Sequence, residues 1–186
     1  MNIRTILFIC AVSIFIVTLT AIASYYLRRA RRSSKRDWEQ LLHRLKNVDR
    51  NSIAEVALDI IDESGQRRSD EGSALLEPSE VWRLVGGLDG LEVLEANCAV
   101  LIDLVFYLQQ WYPEALTAAE QLRLNAREIE WNIGRLKSAQ KTGKLESVFV
   151  MYAQPAVATY YLMTQRVLAI YEQGRFAMLP DLRNAL

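Results

Sequence analysis

Cysteine and histidine are scarce in this chain, with two of the first and one of the second among 186 residues. Cys10 lies in an apolar N-terminal run and Cys98 in a helical pattern, so the pair cannot form a disulfide framework and both read as small apolar residues. His43, between Leu42 and Arg44, has no thiol, carboxylate cluster or second imidazole around it, which predicts neither a zinc site nor a nucleophilic triad. The patterns GxxxxGK[ST], GxGxxG, HExxH, GxSxG and CxxC do not occur. The glycine-rich GGLDG at 86–90 joins helix to helix, and a phosphate loop needs a strand before it. The expectation is a protein that is not an enzyme and carries no metal and no cofactor.

Acidic residues are missing from the first 36 positions, which hold seven cations. All 22 acids follow, against 15 cations, so the remainder carries a net charge of −7. Such a body repels phosphate backbones, and nucleic acid is not an expected partner.

Charge of either sign is absent from Thr5 to Leu27. At 1.5 Å per residue these 23 residues make about 34 Å of helix, enough to cross a hydrocarbon core of about 30 Å. Ala21-Ile22-Ala23 fits a signal-peptidase site, but the run is longer than a typical signal core, and the dense cations after it favour a retained anchor. One cation, Arg4, precedes the run; Arg28, Arg29, Arg31, Arg32, Lys35 and Arg36 follow it. The positive-inside rule then places the N-terminus outside and the rest in the cytoplasm. Tyr25 and Tyr26 fall where interfacial aromatics belong, and the six cations suit contact with anionic lipid headgroups.

After Asp37 the apolar residues recur at helical spacing, with no alternation of the kind strands show. Trp38, Leu41, Leu42, Leu45 and Val48 mark a first helix. Ile53, Val56, Ala57, Ile60 and Ile61 mark a second, with Ser52 and Glu55 as its capping box. Residues 64–74 read as a loop, and Pro78 opens a short helix stopped by Gly86-Gly87. Asp89 is the expected cap of a helix over about 90–112 that is apolar almost all round, the mark of a central element. Pro113 makes a corner. A helix over 114–142 then carries the seam Ala115, Ala119, Leu122, Ala126, Ile129, Ile133 and Leu136, spaced as in antiparallel bundles. A last helix over about 145–173 repeats the seam, with a kink or break expected at Pro155. Its 19 uncharged residues from Ser147 to Gln165 have the length of a second span, but Pro155, two glutamines and the tyrosines favour a core helix. Fraying is expected beyond Gly174.

The fold class is therefore all-α: an N-terminal transmembrane helix (1–27), a basic collar (28–36), an antiparallel bundle of about four to five helices (37–174) and a tail (175–186). Asp103, flanked by AVLI and LVFYL, needs a cation if its carboxylate is buried. Ten residues to either side of Pro113 stand Asp103 and Arg123, so an interhelical pair of Asp103 with Arg123 or Arg127 is expected. The expected function is that of a membrane-anchored accessory subunit, assembly factor or scaffold, with the lipid bilayer and a protein or second copy as partners. The alternative is a small-molecule or lipid sensor, with the ligand between the aromatic faces of the long helices near Asp103 and Arg166.

Overall fold

The computed structural model describes residues 10, 12–21, 24, 38–62, 65–66 and 75–186, in two units, Met1–Arg36 and Asp37–Leu186. In the first unit residues 12–21 are helical, and the Thr18 and Thr20 hydroxyls donate to the carbonyls of Ile14 and Ile16 at 2.8 Å each. That bond satisfies a hydroxyl within its own helix. Val12, Ile14, Phe15, Ile16, Val17 and Leu19 are all exposed. No helix among the described residues is long and apolar enough to cross a membrane. Tyr25, Tyr26 and the six collar cations lie outside the described residues, as does most of the 64–74 loop.

The second unit is all-α, with no strand among the described residues. Its helices are α1 (Trp38–His43), α2 (Arg50–Ile60), α3 (Pro78–Val85), α4 (Gly87–Leu108), α5 (Ala115–Lys141), α6 (Leu145–Gln173) and α7 (Leu179–Ala185). The long helices α4, α5 and α6 pack on one another; α2 and α3 also lie on α6, and α1 lies on α4. Helix α4 occupies the centre, and every residue from Val100 to Phe106 is buried. All seven seam residues of α5 are buried as the spacing predicts.

Polar side chains fix how the short helices meet this core. The amide of buried Asn97 accepts from Lys46 N–H and donates to Lys46 C=O, both at 2.9 Å, and also reaches the Tyr160 hydroxyl at 3.3 Å. Helix α1 therefore ends at His43, short of the expected Val48, because the Lys46 peptide bonds across to α4 and not along its own helix. The carboxylate of buried Asp59 on α2 accepts from Leu75 N–H at 2.7 Å and from the Gln154 amide at 2.8 Å, tying α2 to α6. Tyr171 on α6 donates to the Leu104 carbonyl at 2.9 Å. On the surface Lys137 reaches Glu92 at 3.0 Å and Glu95 at 3.5 Å, linking α5 to α4.

Several local expectations are corrected. Asp49, not Ser52, caps α2; it accepts from Asn51 N–H and from the Ser52 hydroxyl, and those bonds lower its carboxyl pKa. Helix α4 begins at Gly87, ahead of Asp89, because Gly86 and Gly87 both take positive φ, +78° and +64°, and turn the chain there. Gly90 is needed in the same corner, since a Cβ there would collide with the Val85 carbonyl. No break occurs at Pro155: helix α6 continues through it, although its ring nitrogen has no proton to give the carbonyl of Met151. The tail holds a helix, α7, which buries Leu182 completely, and Arg183 pairs with Glu172 on α6 at 3.0 Å.

Removing the Asn97 amide strands both polar groups of the Lys46 peptide. Asn97→Ala should cost about 2 kcal/mol in urea unfolding, the scale of a partly buried peptide left unpaired. Burial pushes the Cys98 thiol from 9.0 up to about 12 and the Tyr160 hydroxyl from 10.0 up to about 12, and raises Tyr171 as well. The unfolded chain loses these protons first, so stability should fall as pH rises from about 9 towards 12. Denaturation midpoints across that range should drop less steeply in Cys98→Ala and Tyr160→Phe; parallel slopes would contradict the assignment.

Candidate interaction face

The residues singled out from sequence are dispersed by the fold. The Arg44 guanidinium, at the end of α1, pairs with the Asp103 carboxylate at 2.8 Å. Arg123, the cation chosen by counting from Pro113, hydrogen-bonds Glu120 and lies over the Phe106 ring at 4.6 Å, while Arg127 is exposed. Phe106 stands one helical turn from Asp103, so Arg123 lies on the same side of α4 as that carboxylate, whose hydrogen bond comes from Arg44. His43 and Arg166 are exposed.

The aromatic residues fall into separate groups instead of lining one cleft. Tyr107 packs against Trp111 at 5.3 Å and Trp38 at 5.8 Å, near the α4–α5 corner. Trp82 and Phe149 pack at a tilt with ring centres 4.3 Å apart beside a groove of about 420 Å³ bordered by Pro78, Ser79 and Glu146. Tyr160 and Tyr161 border a cavity of about 130 Å³ with Thr164, Gln165 and Arg50. Trp131 meets Tyr152 edge to face at 5.8 Å across α5 and α6. Among the described residues no three His, Cys, Asp or Glu side chains could hold a metal ion.

The outer side of α5 carries an apolar feature that the fold leaves exposed. Its seam faces α4 and α6, so the opposite side should be polar. Leu124 is instead 63% exposed, and Trp131, seven residues on and nearly in line with it, is 56% exposed. Met151, beside Tyr152 on α6, is 66% exposed. Arg135 lays its guanidinium over the Trp131 ring at 4.9 Å, which holds the indole in place. One turn beyond Trp131 stands Gly134, exposed, where an added Cβ would meet nothing within 4 Å. A glycine in mid-helix lowers helix stability, and here no packing inside the chain requires it. A surface that keeps a half-covered tryptophan, an exposed leucine and a glycine with open space above it together has the composition of a contact face.

Trp131 belongs to the aromatic faces of the long helices named above, whereas Leu124 and Gly134 stand outside every seam read from the spacing. The readable signal was an apolar pair seven residues apart off the seam of an otherwise regular helix. Asn97 and Asp59 were missed as well, although both stand three residues from buried apolar positions, Leu94 and Val56, in a helical stripe. Compared with family models, curated proteins and solved structures, the chain matches none.

Because the space above Gly134 is open, Gly134→Ala should stabilise the dilute chain by about 1 kcal/mol, the helix-propensity difference between the two residues. Thermal unfolding at low protein concentration checks it. A loss of stability there would mean that the glycine serves the fold itself.

Proposed function

We propose that this chain is a single-pass membrane-anchored helical protein whose cytoplasmic bundle acts through protein contacts, as an accessory subunit, assembly factor or scaffold. The contact reading rests chiefly on one observation, the exposed Leu124, Trp131 and Gly134 face of α5. A soluble helix that shows a tryptophan and a leucine to water loses the hydrophobic stabilisation it would gain by covering them, roughly 25 cal/mol per Å² of apolar surface. The anchor reading draws on the uncharged stretch from Thr5 to Leu27, on the exposed apolar side chains between Val12 and Leu19, and on the cations that follow.

A second reading, a small-molecule site, is favoured by the groove beside Trp82 and Phe149, which has the volume of an ordinary ligand pocket. It differs from the sensor site expected near Asp103 and Arg166, because Asp103 is engaged by Arg44.

Blue-native electrophoresis of a mild-detergent membrane extract separates these readings. The full chain should sediment with membranes and migrate in an assembly heavier than its own 21.3 kDa, and Trp131→Asp should release it as a monomer. A wild-type chain that runs as a monomer would overturn the contact reading, and recovery in the soluble fraction would overturn the anchor. Native mass spectrometry of the purified monomer showing a bound small molecule would support the second reading; a bare mass would remove it.

A further inference from the structure

We infer that the partner of the α5 face is a second copy of this chain, packed antiparallel across a two-fold axis close to Trp131. The inference rests on the contact reading above and gives that face its occupant. Trp131 is a large exposed knob and Gly134, one turn further along, is a notch in the backbone surface with open space above it. A knob and a notch on one helix face complement themselves when two copies run in opposite directions. Each indole then lies on the partner's helix at Gly134, where any side chain would hold it away. This assigns a role to a glycine that has no packing role within its own chain, and whose absence of side chain costs helix stability.

The charges along α5 favour the same arrangement. On the exposed side Glu128 and Glu130 precede Trp131, while Arg135 and Lys141 follow it. Arg123 and Arg127 are the exceptions, and Glu120 holds the first of them. An antiparallel register that seats Trp131 on Gly134 brings Glu128 within two residues, about 3 Å of rise, of the position opposite Arg135. Each pairing occurs twice by symmetry. A parallel pairing would set Glu128 against Glu128 and Arg135 against Arg135, so the charge order selects antiparallel helices. The Arg135 guanidinium already lies on its own Trp131 ring, which places the cation at the rim of the face. Leu124 extends the apolar stripe towards the α5 N-terminus, and Tyr152 borders it from α6.

Photo-cross-linking of the full chain in its membrane tests this directly, with p-benzoylphenylalanine in place of Trp131. The expected product has twice the 21.3 kDa mass of the chain, with the cross-link mapping to the segment around Gly134 of the other copy. Gly134→Leu should abolish it without loss of folded helix, since its Cβ has room in the monomer. Glu128→Arg and Arg135→Glu should each lower the yield roughly tenfold, the effect of about 1.4 kcal/mol, and the two combined should restore it. A cross-link to a protein of any other mass overturns the self-pairing and leaves the contact reading standing. No cross-link to any protein overturns both, and a doubled mass indifferent to all three substitutions overturns the proposed register.

Discussion

A helical stretch with no exposed face has to be covered on every side, and the second half of α4 is that stretch. From Val100 to Phe106 each residue is buried, so the chain must place neighbours around the full circumference. Helices α5 and α6 cover most of it, and α1 covers the arc on which Asp103 stands. Three polar groups on α4 then decide which neighbour sits where. Asn97 takes the Lys46 peptide, Asp103 takes the Arg44 guanidinium, and the Leu104 carbonyl takes the Tyr171 hydroxyl. Buried polar groups without partners are costly, so each of these acts as a positional key in an otherwise uniform apolar surface.

Covering α4 also explains what remains uncovered. Helix α5 commits its alanine-rich seam to α4 and α6, and small residues there allow close approach. Its far side meets the rest of the chain at the edge, where Trp131 touches Tyr152, and is otherwise open. That side could have been uniformly polar, yet it carries Leu124, Trp131 and Gly134. The contrast between a seam fully used by the fold and an outer stripe unused by it separates the fold's requirements from those of an interaction. The same logic applies to residues 12–21, where apolar side chains are exposed along a helix and hydroxyls are satisfied internally.

Much of the architecture was readable from spacing, because the period of an apolar pattern reports directly which helix face is buried. The α5 seam and the central role of α4 came from that alone. The Arg44 bond to Asp103 did not, since it comes from 59 residues away on a helix that counting from the Pro113 corner does not reach. The length of α1 was overestimated for a related reason: Asn97 competes for the backbone of Lys46 from 51 residues away, and no local pattern records such a competitor. The α7 helix was hidden by Gly174 and Pro180, which read as a frayed end until α6 supplied a surface for Leu182. The α5 face was half legible, as an apolar pair off the seam, but the meaning of Gly134 depends on knowing that nothing fills the space above it.

Native-state hydrogen exchange of the full chain tests the primacy of α4 most directly. Amides from Leu101 to Phe106 should exchange only through global unfolding, with the highest protection in the molecule, while those of α1 open at lower free energy. If the α4 amides exchange as readily as those of α1, the bundle is not organised around an enclosed central helix, and the account built on it fails.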